Sequence, residues 1–237
     1  YFNILKENST KEELDIHNDE IISLKNKIVL KNIAHSFGDN KLFKKINVEV
    51  NLGDKLAITG KTGSGKSTLT NLIMGILNPE NGEIFFDDIP VNGKFNYIKN
   101  NFSYISQKVF IMNDNLLNNI TLYNSDKYNF EKEEIRIKEI INDLDLEDLM
   151  KRFELNKYHL GDDGSLISGG QKQRIGIARS LYLNKKIIIL DEPSSNIDKN
   201  TETVIFNKIF NKYKDRIFII ISHNENLISL CNKKLEL

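Results

Sequence analysis

Apolar residues along the chain form short runs that alternate with amphipathic stretches. The runs Lys186–Leu190 and Ile217–Ile221 are almost continuously apolar and have the length of a buried strand. Between them, Lys199–Tyr213 repeats apolar residues at helical spacing. Because buried apolar strands that alternate with helices indicate a parallel sheet covered by helices, the pattern predicts an α/β fold.

The rest of the chain divides in the same way. From 28 to 58, short β-type segments are separated by turn signals, and the middle third, roughly Val109–Arg179, has a mostly helical pattern. Residues 1–26 are polar and charged, and we interpret them as a helix end and a linker. The other predicted elements are strands Lys55–Thr59, Glu83–Asp87 and Phe102–Ser106, a turn at Asn81-Gly82, and helices Lys66–Leu77 and Glu225–Leu230.

Composition narrows the class of protein. The 237 residues suffice for one large domain, and 33 basic against 33 acidic residues disfavour a free nucleic-acid binder, which usually carries a basic excess. The single cysteine, Cys231, has no partner within the chain for a disulfide. No apolar run approaches the roughly 20 residues of a transmembrane helix. The chain begins at Tyr1, so we interpret it as a fragment without a membrane span of its own.

A glycine-rich loop stands between the predicted strand Lys55–Thr59 and the helix that begins at Lys66. It fits the pattern G-x-x-x-x-G-K-[ST], in which glycines let backbone N–H groups point at phosphate oxygens. Lys66 would reach the β- and γ-phosphates of a nucleotide, and the Ser67 hydroxyl would bind Mg²⁺. A flexible Gly/Ser turn before a helix is the alternative. The loop comprises Gly60, Lys61, Thr62, Gly63, Ser64, Gly65, Lys66, Ser67 and Thr68.

Two carboxylates follow the apolar run that ends at Leu190. Because the C-terminal end of a parallel strand faces the ligand crevice, Asp191 is suited to hold Mg²⁺ through water. Glu192 is suited to act as general base on an attacking water. An acid pair at a strand end is by itself more often solvated, but beside a phosphate loop in one α/β domain the functional interpretation is favoured.

The string Ile167–Arg174 contains Ser168-Gly169-Gly170-Gln171, which suits either a second anion site at a helix start or an ordinary capped helix. Together with the other motifs, this string resembles the signature of the nucleotide-binding domain of ATP-binding cassette (ABC) transporters. The resemblance covers about residues 28–237. It implies an α/β fold with a P-loop NTPase (RecA-like) core, an antiparallel β subdomain, and an inserted α-helical subdomain that carries the signature.

The resemblance also implies roles for single residues. Phe37 stands where the family places an aromatic that stacks on adenine, Gln107 where it places the Q-loop glutamine, Asp198 in the D-loop, and His223 where it places the switch histidine. Core packing for Phe37, a surface amide for Gln107 and a structural histidine for His223 remain the alternatives.

The implied cofactors are ATP and Mg²⁺. The residues that the resemblance makes catalytic are Glu192, His223 and Lys66, and those that it places at the metal are Ser67, Gln107 and Asp191. The signature residues Ser168, Gly169, Gly170 and Gln171 would act in trans, closing over the γ-phosphate that a second copy holds. The expected assembly is therefore a head-to-tail homodimer around two ATP molecules.

Two further segments resemble the exporter branch of the family. The run Val109–Ile120 is similar to the exporter pattern after the Q-loop, and Leu160–Gly164 is similar to the exporter X-loop, with Asp162 in place of the usual glutamate. We therefore expect a domain boundary at 26/27, a cassette over 27–237 with its helical subdomain at about 109–179, and a transmembrane domain missing from this chain. The expected location is the cytoplasmic face of a bacterial inner membrane, with a lipid, lipid-linked glycan or peptide as cargo.

Three other functions carry related motifs. A DNA-repair or chromosome-structuring ATPase would have a long coiled-coil insertion between the phosphate loop and the signature, where this chain has no sustained heptads. A ribosome-associated ABC protein would have two cassettes in one chain and no X-loop. A metabolic P-loop kinase would lack the Ser168–Gln171 string. Export is therefore favoured, and no nucleic-acid partner is expected.

Overall fold

The computed structural model describes residues 21–37, 40–122 and 130–237, except for the side chains at 37, 40 and 130–132. The strands are β1 (Lys27–Phe37), β2 (Asn40–Asn51), β3 (Lys55–Thr59), β4 (Asn81–Phe86), β5 (Ile89–Pro90), β6 (Phe102–Ile105), β7 (Ile187–Asp191), β8 (Ile217–Ile221) and β9 (Lys233–Glu236). The helices are α1 (Lys66–Ile73), α2 (Phe95–Ile98), α3 (Leu116–Thr121), α4 (Phe130–Asp143), α5 (Glu147–Lys157), α6 (Gly169–Tyr182), α7 (Lys199–Lys212) and α8 (Glu225–Ser229).

A parallel sheet of five strands forms the centre, in the order β6-β7-β8-β3-β9. Its central strands β7 and β8 are buried on both faces: Ile188 and Leu190 of β7 pack into one hydrophobic core, whereas Ile187 and Ile189 pack into the other. This two-sided burial explains why the strands are continuous apolar runs rather than alternating ones. The predicted α/β fold with a parallel sheet is confirmed.

A second sheet is antiparallel, in the order β2-β1-β4-β5. It covers the core that contains Leu69 and Leu72 of α1. The predicted turn at Asn81-Gly82 is wrong, because both residues open strand β4. Gly82 has φ +90°, and a Cβ there would clash with the backbone oxygens of Lys31 and Asn32. Glycine is therefore needed for close approach of two strands, not for a chain reversal.

Helices α3 to α6 lie between residues 116 and 182 and surround the other core. Helix α6 contacts both α3 and α4 and strands β6 and β7, so it joins the helical region to the parallel sheet. Near its end, the buried Arg179 donates hydrogen bonds to the carbonyl oxygens of Phe110 and Asn119. Burial lowers the pKa of this guanidinium to about 10.

Most predicted boundaries lie within about two residues of the observed ones, and the larger differences have local causes. Helix α1 ends at Ile73 rather than Leu77, because Gly75 takes a left-handed φ of +70° and ends the helix. Strand β9 was not predicted, since its charged residues hide the strand pattern; among the described strands it pairs with β3 at the sheet edge.

The domain division at 26/27 and the bounds of the helical subdomain stay predictions. Of the expected linker, residues 1–20 lie outside the described residues. Among the helices of the described ranges, none is both long and apolar enough to cross a membrane.

Candidate functional site

The glycine-rich loop connects β3 to α1 at the C-terminal edge of the parallel sheet. Gly60 has φ +144°, and a Cβ there would lie 2.5 Å from the carbonyl oxygen of Leu237. Gly65, which precedes α1, has φ +98°, and a Cβ there would lie 2.9 Å from the ring of Phe43. Both positions therefore require glycine. At Gly63 a Cβ would meet no atom of the residues that the structure describes within 4 Å, so this part of the loop is open toward them.

The N-terminus of α1 is not capped by a side chain, and its first turn contains no acidic residue. Lys66 turns back over the loop, and its Nζ donates to the carbonyl oxygens of Gly60 and Lys61 at 2.7 and 3.0 Å. The Ser64 Oγ within the loop is buried and has no hydrogen-bond partner among the described residues. The loop thus combines a positive helix end, an ammonium group and uncapped N–H groups, which together suit an anion.

A cleft of about 480 Å³ lies in front of this loop, within the range of roughly 300–1,000 Å³ of ligand pockets. The predicted residues that line it are Thr62, Gly63, Gly65, Lys66, Ser67, Thr68, Gln107, Asp191, Glu192 and His223. Gly60 and Lys61 line an adjoining cavity on the other side of the loop, which Thr62 and His223 share. Motifs more than 150 residues apart in the chain, from Thr62 to His223, therefore meet at one cleft.

Tyr104 is a residue of the site that the sequence analysis missed. It lies on β6 beside β7, and its hydroxyl donates to Asp191 Oδ2 at 3.1 Å. Partial burial of this half-exposed residue, together with the nearby Asp191 charge, raises the pKa of Tyr104 to about 12, so the phenol stays a donor at neutral pH. The available signal was its position at the end of a strand that runs parallel to the one carrying the acids.

Glu192 and His223 face each other across the end of the sheet. The Glu192 backbone has φ +47°, which is uncommon outside glycine, and its N–H donates to the Ile221 carbonyl at 2.9 Å. His223 Nε2 lies 3.8 Å from Glu192 Oε1, and the histidine side chain is 55% exposed. A left-handed backbone at a candidate general base marks a position where the fold overrides local preference.

The signature residues lie away from this cleft. Ser168 caps α6: its Oγ accepts from the Gln171 N–H at 3.2 Å, while its own N–H donates to Gln171 Oε1 at 2.9 Å. Gly169 and Gly170 pack against Asn196, and Gly169 lines a second cavity of about 390 Å³, which shares only Gln107 with the residues described around the cleft. The structure therefore does not bring the signature to the phosphate loop of the same chain.

Asp198, the predicted D-loop residue, caps helix α7. Its Oδ1 accepts from the Thr201 N–H at 3.0 Å. Hydrogen bonds from the Thr201 side chain and backbone lower the pKa of this carboxyl. Phe37, the predicted adenine-stacking residue, ends β1, but its side chain lies outside the described residues.

Gln173 is a second residue whose role was missed. Its side chain is 3% exposed, and its Nε2 donates to the Gln107 carbonyl at 2.7 Å and to Ser195 Oγ at 3.3 Å. Helix α6, the segment at Gln107 and the loop after β7 are thereby tied together by one amide. In the sequence, Gln173 is one of several polar residues in the signature string. That position does not show whether its amide is buried or exposed.

Comparison with known proteins agrees with this arrangement. The family model described as ABC transporter matches residues 43–195. A probable ABC transporter ATP-binding/permease protein of Haemophilus influenzae is 32% identical over 209 residues, which are 87% of this chain and 37% of the relative. An ATP-dependent lipid A-core flippase of Wigglesworthia glossinidia brevipalpis is 33% identical over 233 residues, which are 92% of this chain and 38% of the relative.

A solved structure shares the fold. A bacterial Atm1-family ABC exporter with ATP bound matches with a TM-score of 0.81 at 24% identity, covering 93% of this chain and 39% of that one. The predicted P-loop NTPase core with its antiparallel sheet is confirmed by this match. The chain spans less than two-fifths of the length of each of these proteins.

Proposed function

The chain belongs to the ABC transporter family, and from this premise we propose that it binds ATP with Mg²⁺ and hydrolyses it to drive export across a membrane. One observation carries the proposal: a single cleft gathers the phosphate loop, Gln107, the Asp191-Glu192 pair and His223. These groups supply the anion cradle, the metal ligands and the base that phosphoryl transfer to water requires.

Nucleotide binding is assigned to the phosphate loop. The uncapped N–H groups at the start of α1 would hold the phosphates, and Lys66 would exchange its bonds to the Gly60 and Lys61 carbonyls for phosphate oxygens. Phe37 would stack on adenine, as proposed from the resemblance. The open space at Gly63 supports this assignment, since a bound phosphate can approach the backbone there.

The residues at the cleft also fit a magnesium ion. Ser67, Gln107 and Asp191 offer a hydroxyl, an amide oxygen and a carboxylate, which are the hard oxygen ligands that Mg²⁺ prefers. Within the described ranges there is no cluster of three or more His, Cys, Asp or Glu that could hold a metal without phosphate ligands. When bound, the ion would neutralise charge on the β- and γ-phosphates. Tyr104 would keep Asp191 turned toward the cleft.

Hydrolysis is assigned to Glu192 and His223. Glu192 would accept a proton from the water that attacks the γ-phosphorus, and the bond to the β-phosphate oxygen would break. His223 would donate a hydrogen bond to the γ-phosphate and hold the water in line. The 3.8 Å separation of the two side chains supports a shared role.

The site is proposed to be completed by a second copy. The signature turn Ser168–Gln171 lies outside its own chain's cleft, as a segment that acts in trans must. In a head-to-tail homodimer it would cover the partner's γ-phosphate, with Asp198 near the contact. Loss of the γ-phosphate would then loosen the dimer, which gives the membrane domain a two-state signal.

The larger assembly is proposed from the relatives. They are named as an ATP-binding/permease protein and as lipid A-core flippases, and each is more than twice as long as this chain. We therefore propose that a transmembrane domain accompanies this cassette, that the cassette lies at the cytoplasmic face of the membrane, and that the cargo is a lipid-like amphiphile. The exposed side chains of Ile76, Phe95 and Tyr104 around one apolar hollow offer that domain a docking surface.

Replacing Glu192 by glutamine tests the proposal. Removing a general base lowers kcat by about 10²–10⁴-fold, whereas ATP binding should persist because the phosphate loop is intact. The measurement is phosphate release by the full-length protein, with ATP affinity measured in parallel. Glu225→Gln, an exposed change near His223, is the matched control and should retain the wild-type rate. Undiminished hydrolysis in Glu192→Gln would remove Glu192 from the role of base.

A further inference from the structure

Glu202 is a carboxylic acid buried close to the candidate site. It lies in the first turn of α7, and its exposed fraction is 0%. Its backbone N–H donates to the carbonyl of Asp198, the residue that caps the helix. An acid without a partner is costly to bury, so its hydrogen bonds decide whether the position is tolerated.

Asn224 satisfies this acid. Its Nδ2 lies 3.0 Å from Glu202 Oε1 and 2.8 Å from Oε2. Of the residues that the structure describes, Asn224 is the one whose side chain donates to this carboxylate. The pair joins helix α7 to the loop after β8, two elements that are separated by 22 residues in the chain.

Asn224 directly follows His223. Strand β8 ends at Ile221 and α8 begins at Glu225, so only residues 222–224 connect them. The Asn224 N–H donates to the buried Ser222 Oγ at 3.0 Å, and its Oδ1 accepts from the Asn226 N–H at 3.0 Å. The imidazole itself is half-exposed and reaches Glu192 only at 3.8 Å. The position of His223 is therefore decided by how its neighbours are held.

We propose that Glu202 and Asn224 form a positioning pair that fixes His223 against helix α7. The inference rests on the role proposed above for His223 in ATP hydrolysis. The same pair links His223 to the Asp198 turn through the first turn of α7, so a displacement of that turn reaches the histidine. Neither side chain touches the cleft, and both act through the backbone of residues 222–224.

Asn224→Asp keeps the shape of the side chain but replaces the donor amide by a carboxylate. Aspartate keeps an oxygen that can accept from the Asn226 N–H, but it sets two carboxylates within hydrogen-bonding distance, where both cannot ionise without cost. We expect kcat to fall about tenfold while KM for ATP changes by less than about twofold, because the phosphate loop is unaffected. Glu202→Gln keeps one acceptor oxygen and should cost about threefold in kcat.

Reversing the pair provides the rescue. In the Glu202→Gln/Asn224→Asp double variant, the new amide donates to the new carboxylate and the net charge equals that of the wild type. We expect kcat to return to within about threefold of wild type. Asn226→Asp, the same chemical change at an exposed position two residues on, is the control and should stay within about twofold.

The experiment compares kcat, KM, ATP affinity and melting temperature in the full-length protein. A wild-type rate in Asn224→Asp, or a reversed pair as impaired as Asn224→Asp, overturns the inference. A parallel loss of ATP affinity and melting temperature would show a merely structural role and overturns it too. If Asn224→Asp does not fold, the kcat of the folded reversed pair tests the inference: a kcat more than about threefold below the wild type overturns it. A wild-type protein without ATP hydrolysis overturns the proposed function itself, before any substitution is considered.

Discussion

Two glycine-rich segments of this molecule each precede a helix, but the backbone N–H groups at the two helix N-termini are satisfied differently. At Gly60–Thr68, the residue before α1 is Gly65, which provides no side-chain cap. At Ser168–Gln171, a complete capping box satisfies the start of α6 from within the chain. The first helix end is therefore left for a ligand, whereas the second is already satisfied by its own side chains.

The surroundings of the two turns differ in the same sense. The phosphate loop opens onto a cleft with Asp191, Glu192 and His223 in the same chain. The signature turn packs its glycines against Asn196 and meets none of those groups. We infer that the phosphate loop can hold ATP without residues from a second chain. The signature turn, in contrast, is inferred to contact phosphate only when a partner chain supplies the bound nucleotide.

The largest effect is expected at Lys66. Lys66→Ala removes the charged donor of the phosphate loop, so the Kd for Mg-ATP should rise about 100-fold or more. Calorimetry with the full-length protein measures this change. Lys44→Ala, at an exposed position on β2, is the matched control and should bind as the wild type does. Equal affinity for Mg-ATP in the two variants would contradict the assignment of nucleotide binding to the phosphate loop.

The next effect concerns the signature turn in trans. In a mixed dimer with Ser168→Arg on one chain, the bulky cation should disable the site whose phosphate loop lies on the other chain, lowering hydrolysis there about tenfold or more. Lys66→Ala is then added either to the chain that carries Ser168→Arg or to its partner, so that phosphate release reports on one site at a time. Damage confined to the variant chain's own phosphate loop would refute the head-to-tail arrangement.

A smaller effect is expected at Gln173, which ties helix α6, the helix that the signature turn opens, to the segment at Gln107 and to the loop after β7. Gln173→Met keeps the side-chain length but leaves the Gln107 carbonyl without its donor, so kcat should fall several-fold, by about 3- to 10-fold, at unchanged ATP affinity. Ser195→Ala removes only the weaker of its two contacts and should cost less. If ATP affinity falls together with kcat, the substitution has damaged the cleft itself and not only the hydrogen bonds of Gln173.

The smallest effect is expected from the cap itself. Ser168→Ala should lower the free energy of unfolding by about 1 kcal/mol, whereas Ser168→Gly should lower it by only about a few tenths of a kcal/mol. Chemical denaturation measures both. Equal losses in the two variants would mean that the capping hydrogen bond does not stabilise α6.

Much of the fold and the site was readable from the sequence. The apolar runs at β7 and β8 predicted a sheet buried on both faces, and the cleft brings together the predicted residues from Thr62 to His223. Errors arose where one residue type has two uses. The sequence around Gly82 predicts a turn, but this glycine allows the close approach of strands β1 and β4. The charged strand β9 is recognised only from its pairing with β3.

The amino-acid sequence was sufficient to identify the family, the candidate phosphate loop and the order of the motifs, because each motif is a local string whose chemistry depends on neighbouring residues. The contacts between these strings depend on the tertiary structure. Tyr104 on Asp191, Gln173 on Gln107, and Asn224 on Glu202 join residues that are 87, 66 and 22 positions apart. Such pairs leave no periodic trace, since a side-chain hydrogen bond depends on how elements pack and not on the residues beside it in the chain.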